Sequence, residues 1–120
     1  MKIFDFLFKK ERRLPAVSQI RRAYVKENCP FCRGFLETYQ KILRTTPEAN
    51  LPNKRIEIVD IHKNRMAREY ALTISEMAGL GRQLSVPLII YEGIVIDGFL
   101  LNADYYNEML LRTLMGVPHA

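Results

Sequence analysis

The feature that most constrains the fold is a pair of cysteines placed where a strand gives way to a helix. The chain has 120 residues and only two cysteines, Cys29 and Cys32. The β-forming residues between Ile20 and Val25 predict a short strand before them. Asn28, Cys29 and Pro30 then form a helix-start signal, because proline is favoured at the first helical position. The sequence therefore predicts that both thiols lie at a strand-to-helix junction.

Helical and strand patterns alternate after this junction. Apolar residues at helical spacing follow Pro30 and end at Pro47. Alternation over residues 55–61 predicts a second strand, and residues 66–77 place one apolar face on a second helix that stops at Gly79. A helix between two early strands requires a crossover, so we expect some parallel strand pairing.

The second half of the chain predicts a hairpin and a last helix. Two apolar runs are separated only by Glu92 and Gly93, a link typical of an antiparallel β-hairpin. Asn102 or Asp104 could cap the last helix, and Gly116 fits its end. Together these patterns predict an α/β domain.

Length and composition limit the classes of protein that this chain can belong to. Apolar residues make up 48% and charged residues 26% of a 120-residue chain, which is ordinary for one globular domain. No apolar run approaches the roughly 20 residues that span a bilayer. The first eight residues are interrupted by Asp5 and lack a cleavage site, so we expect a cytoplasmic protein. The net charge of +5 identifies no partner.

Residues 1–18 are expected to form an amphipathic extension to a domain that covers residues 19–120. Ile3, Phe4 and Leu7 lie near one helical face, and a basic run follows. Such a stripe usually faces a core, which favours a helix that packs on this domain or on a second copy in a homodimer. The alternative is an anchor on an anionic membrane surface through residues 1–13. A basic run without a recognisable module does not indicate nucleic-acid binding.

The cysteine pair predicts thiol–disulfide exchange. If Pro30 is the first helical residue, Cys29 is the N-cap, and its sulfur lies near unpaired N–H groups at the positive end of the helix dipole. These effects favour thiolate, which is the nucleophile. We expect Cys29 to attack a substrate disulfide and Cys32 to resolve the mixed disulfide, which leaves a Cys29–Cys32 disulfide. In a reducing cytosol a structural disulfide is disfavoured, and reduction of substrates is the favoured direction.

Other interpretations of the same residues stay open. A closed zinc site needs four ligands, and beyond the cysteines only His62 and His119 are soft candidates. Two incidental buried cysteines are a further alternative. Asp60 ends the second strand, where it could accept a proton from Cys32 or simply face solvent.

The chain resembles the thioredoxin superfamily. The resemblance covers roughly residues 20–116 and rests on the motif from Cys29 to Cys32, on the order of elements around it, and on Val86-Pro87. Glutaredoxins and small glutaredoxin-like thioredoxins, which often carry Cys-Pro-Tyr-Cys, are the most similar branch, with Phe31 in place of tyrosine. The resemblance implies a thioredoxin-like fold in which a four-stranded mixed sheet is flanked by three helices.

The same resemblance implies roles for further residues and partners. Pro87 would be a cis-proline that faces the cysteines, and Val86 would offer its backbone to an extended disulfide substrate. Protein or small-molecule disulfides would be the substrates, no cofactor would be bound, and glutathione or a thioredoxin-reductase-type enzyme would supply electrons. The stretch from Ile96 to Phe99 has one glycine and no acidic pair where glutaredoxins hold glutathione, which leaves the donor open. The alternative function is a non-catalytic interaction module that docks through its N-terminal segment.

Overall fold

One mixed sheet with helices on both of its faces makes up the described part of the protein. A computed structural model describes residues 12–97 and 104–118. The three helices are α1 (Pro30–Thr45), α2 (Arg65–Met77) and α3 (Asp104–Met115). The five strands are β1 (Arg12–Arg13), β2 (Arg21–Val25), β3 (Glu57–Asp60), β4 (Leu88–Tyr91) and β5 (Ile94–Asp97).

The strands follow the order β1-β5-β4-β2-β3 across the sheet. Strands β2 and β3 are parallel, and the crossover between them is α1. The pairs β2–β4, β4–β5 and β1–β5 are antiparallel. The predicted α/β class, the mixed sheet and the three helices are therefore confirmed.

The predicted number of four strands is wrong, because a fifth strand joins the sheet. Arg12 and Arg13 pair with Val95 and Ile94 on the outer side of β5. The predicted N-terminal helix does not include these two arginines, and residues 1–11 lie outside the described residues. The strand forms because β5 would otherwise leave backbone N–H and C=O groups unpaired at the sheet edge.

The three helices contain 16, 13 and 12 residues. Helix α2 begins after Asn64, whose Oδ1 accepts a hydrogen bond from the Ala67 N–H at 3.0 Å. Within residues 12–97 and 104–118, no helix combines the length and the apolar character needed to cross a membrane.

Apolar residues pack on both faces of the sheet. Alternation along β2 sends Ala23 and Val25 to the face that α1 and α3 cover, and Tyr24 to the face that α2 covers. All four residues of β4 are buried, as expected of a central strand with helices on both sides. The largest fully buried side chains come from these layers and from the loop before β3: Tyr24, Phe35, Ile42, Leu51, Ile74, Leu88, Ile89, Ile90, Ile96, Leu110, Leu111 and Met115.

Tyr39 fixes the middle of α1 on the sheet. Its ring stacks on Phe35 with centroids 6.1 Å apart. Its hydroxyl accepts a hydrogen bond from the Ile56 N–H at 2.7 Å and donates one to the Ile56 carbonyl at 3.2 Å. Because Ile56 directly precedes β3, these bonds tie α1 to the strand that follows it.

A buried arginine joins the C-terminal end of α1 to α3. Arg112 is only 2% exposed, and it contacts Glu108 at 3.0 Å, Thr45 Oγ1 at 2.7 Å and the Pro118 carbonyl at 2.8 Å. Lys41 on α1 reaches Glu108 at 2.8 Å. Lys41 first and Arg112 second lower the pKa of the Glu108 carboxyl. This network holds the end of α1 that lies away from the cysteines.

Candidate active site

Cys29 is the N-cap of α1, as the sequence predicts. Its backbone is extended, with φ −112° and ψ 111°, and Pro30 is the first helical residue. The Cys32 N–H donates a hydrogen bond to Cys29 Sγ at 3.3 Å. The first turn of α1 therefore directs a backbone donor, at the positive end of the helix, towards this sulfur.

The Val86 backbone lies across from Cys29. Strand β4 begins at Leu88 and pairs with Tyr24 of β2, which brings the preceding residues close to the start of α1. Cys29 Sγ is 3.9 Å from the Val86 carbonyl oxygen, to which the thiol donates. The Val86–Pro87 peptide bond is cis. The structure thus brings together the cysteine motif and the later Val86-Pro87 pair.

The two thiols differ in depth. Cys29 is 8% exposed and Cys32 is 1% exposed, and both are free. Phe31, between them in the chain, has 41% of its surface exposed. The Cys29 sulfur therefore lies at the rim of the site, with Cys32 beneath it.

Burial keeps Cys32 in its thiol form. Burial first, and the hydrogen bond with Cys29 second, raise the pKa of Cys32 to about 12, against a smaller opposing effect of a backbone hydrogen bond from Lys26. At neutral pH Cys32 is therefore a protonated group that must lose its proton before it can attack.

A cleft of about 640 Å³ opens over the cysteine pair. Lys26 and Arg33 line it together with Glu37, so charges of both signs surround the thiols. The sequence did not predict that Lys26 lies at the site, because a single lysine before a helix start forms no distinctive pattern.

Asp60 and His62 contact each other at the end of β3. The Asp60 carboxylate accepts a hydrogen bond from the His62 N–H at 2.8 Å, as in an Asx turn. The largest influences on the pKa of Cys32 are burial, Cys29 and Lys26. The role of Asp60 as a proton acceptor for Cys32 and its alternative, a carboxylate that faces solvent, both stay predictions.

Other predicted features bear on metal binding and on the chain ends. In the described part of the chain, no three residues of the types His, Cys, Asp and Glu cluster as metal ligands would. His119, Asn102 and the N-terminal segment at residues 1–11 lie outside the described residues. The zinc, membrane and homodimer interpretations that depend on them stay predictions.

Comparison of the chain with protein-family models, curated proteins and solved structures found no match.

Proposed function

We propose that this protein is a thioredoxin-like thiol–disulfide oxidoreductase in which Cys29 is the nucleophile and Cys32 the resolving thiol. One observation carries the proposal. The Cys29 sulfur caps α1, accepts the Cys32 N–H at 3.3 Å, and sits at the rim of a cleft opposite the Val86 carbonyl. A nearby backbone N–H and the helix dipole stabilise a negative sulfur, and the negative sulfur is the attacking species.

In the first step the Cys29 thiolate attacks one sulfur of a substrate disulfide. The substrate S–S bond breaks, a new S–S bond joins Cys29 to the substrate, and the second substrate sulfur leaves as a thiolate that takes up a proton. The rim position of Cys29 suits this step, because an attacking sulfur must meet the substrate first.

In the second step Cys32 loses its proton and attacks the Cys29 sulfur. The mixed disulfide breaks, the substrate leaves as its second thiol, and a Cys29–Cys32 disulfide forms. The substrate has then gained two electrons, and the protein has lost two. The raised pKa of Cys32 keeps this thiol protonated until the mixed disulfide has formed, so the two cysteines do not compete for the substrate.

The Val86 backbone supports docking of an extended substrate. Its carbonyl faces Cys29, and residues 84–87 lie outside any strand, so their backbone can pair with a substrate chain. The exposed ring of Phe31 adds an apolar contact beside the reacting sulfur.

The oxidised protein needs an external thiol donor, either one dithiol or two monothiol molecules, to return to its starting state. We propose reduction of protein or small-molecule disulfides in the cytoplasm, with glutathione or a thioredoxin-reductase-type enzyme as the source of electrons. A donor transfers two electrons to the Cys29–Cys32 disulfide by the same exchange steps in reverse.

Turnover of a protein disulfide tests the proposal. The wild-type protein, C29S and R55Q are each assayed with glutathione plus glutathione reductase, and separately with thioredoxin reductase. We expect turnover with at least one donor, a fall of about 100-fold or more in C29S, and no change in R55Q. Arg55 is an exposed arginine paired with Glu48 and is a matched surface control. Equal turnover by C29S and wild type would contradict the proposal.

A further inference from the structure

A second recess adjoins the cysteine cleft, on the other side of Lys26. It has a volume of about 350 Å³, and Val86 is one of the residues that line it. Lys26 lines both cavities, and the Val86 carbonyl contacts Cys29 Sγ. A chain that reacts at Cys29 and runs along Val86 therefore passes directly from the cleft to this recess.

Cations dominate the rim of the recess. Lys26, Arg68 and Arg82 line it with His62, and no acidic residue is among the described residues that line it. Arg82 forms an ion pair with Glu76 at 3.1 Å. Among residues 12–97 and 104–118, neither Lys26 nor Arg68 forms an ion pair with an acidic side chain. Lys26 and Arg68 are thus the two cations of the recess that no acidic side chain among these residues pairs with directly.

Apolar side chains also line the recess. Ile61 is 6% exposed and Leu84 is partly buried, and both are among the lining residues. A glutamate side chain suits such a cavity, because its methylene groups contact apolar surface while its carboxylate meets the cations.

We propose that this recess binds an acidic side chain of the substrate, so that preferred substrates are polypeptides with a glutamate or aspartate two positions from the reactive cysteine. The inference rests on the proposed function and adds the substrate class. An extended chain advances about 3.3 Å per residue and points successive side chains to opposite faces, so the residue two positions from the cysteine shares its face and can reach the recess while the cysteine reaches Cys29. Charge complementarity at an exposed rim mainly raises the association rate.

The test uses the full chain with C32S, which stops the reaction at the mixed disulfide. Three peptides carry the same aromatic mixed disulfide on one cysteine and differ only in the residue two positions from it, which is Glu, Gln or Lys. The rate of release of the aromatic thiolate gives the rate constant for attack by Cys29. We expect the order Glu, Gln, Lys, with about threefold between successive peptides, the size typical of an exposed ion pair. Raising the salt concentration should shrink these ratios.

Two arginine variants test whether the preference for an acidic residue depends on the recess. R68Q in the C32S background should lower the Glu-to-Lys rate ratio about threefold. R55Q removes an equal charge from an arginine that does not line the recess, and the ratio should stay unchanged.

The outcomes separate this inference from the proposed function. If no peptide forms a mixed disulfide, the proposed function fails. Equal rates for all three peptides, or an equal effect of R55Q and R68Q, would overturn the acidic-substrate inference and leave the proposed function standing. Glutathione that carries the same aromatic mixed disulfide and reacts faster than the Glu peptide would assign the recess to a small disulfide and would also overturn the inference.

Discussion

Two helices of this protein begin in the same way and differ in the atom that caps them. Helices α1 and α2 follow the parallel strands β2 and β3, so both begin at the same edge of the sheet. Their N-cap residues, Cys29 and Asn64, are both extended, and each accepts a hydrogen bond from the N–H three residues later. The acceptor is a sulfur at 3.3 Å in α1 and an amide oxygen at 3.0 Å in α2.

The difference shows that α1 begins with a weaker cap than α2, which fits the reactive role that we propose for Cys29. Asparagine is among the best N-cap residues, whereas a thiol sulfur is a weak acceptor. Helix α1 compensates elsewhere, with Pro30 at its first position and with the hydrogen bond between Thr45 and Arg112 at its far end. The cap position of α1 is thereby free to hold a sulfur that can react.

Replacing Cys29 by Ser should produce the largest effect, because it removes the sulfur that distinguishes the start of α1 from the start of α2. Serine caps a helix well, so the free energy of unfolding should not fall, while turnover should drop by about 100-fold or more. Disulfide turnover and urea unfolding of the reduced protein measure the two effects. Asn64→Ser is the matched control and should keep full turnover. A C29S protein that is destabilised by several kcal/mol would show that the sulfur has a structural role.

Replacing Arg112 by Met should show that the far end of α1 secures this helix. The change removes three contacts of a buried guanidinium and leaves Glu108 with Lys41 alone, so we expect a loss of roughly 2 kcal/mol in the free energy of unfolding. Urea unfolding measures it. Lys41→Met removes only a half-exposed partner and should cost about 0.5 kcal/mol. Equal losses in the two variants would argue against this anchoring role.

Raising the pH should reveal the deep burial of Cys32 as a loss in the free energy of unfolding. Burial raises the pKa of Cys32 from its ordinary 9.0 to about 12 in the folded protein. The folded state then holds this proton more tightly than the unfolded state, so this contribution to stability is complete below pH 9 and is lost as pH rises towards 12.

The expected size of this loss can be measured with a cysteine variant. Between pH 8 and pH 10 the free energy of unfolding of the reduced wild type should fall by roughly 1 kcal/mol more than that of C32A. Urea unfolding under reducing conditions gives both values. Parallel pH profiles for the two proteins would mean that burial does not hold the Cys32 proton.

Replacing Asn64 by Ala should have the smallest effect of the four. The change removes the oxygen that accepts the Ala67 N–H, so the free energy of unfolding should fall by about 1 kcal/mol. Turnover should not change, because this helix start carries no reactive group. If N64A lost as much turnover as C29S, the two helix starts would not have separate roles.

The sequence predicts most of the fold because its signals are local. Pro30 marks the start of α1, and Glu92-Gly93 marks the hairpin turn, in which both residues adopt positive φ, 49° and 90°. Strand β1 could not be predicted from two arginines, because its cause is the unpaired edge of β5, far along the chain.

The residues of the candidate site could likewise be predicted only in part. The Cys29 cap follows from its neighbours in sequence, and Val86-Pro87 came only from the resemblance to a known superfamily. The recess beside Val86 could not be predicted, since Lys26, Arg68 and Arg82 are brought together by β2, α2 and the loop before β4.

The most direct test of the account is to find which cysteine bonds to the substrate. The C32S protein is mixed with a disulfide substrate, and the intact adduct and its peptides are weighed by mass spectrometry. We predict one adduct, bonded through Cys29 and released by a dithiol, whereas C29S treated in the same way stays unmodified because Cys32 is buried and protonated. An adduct that forms through Cys32 in C29S as fast as through Cys29 in C32S would contradict the division of roles between the two thiols.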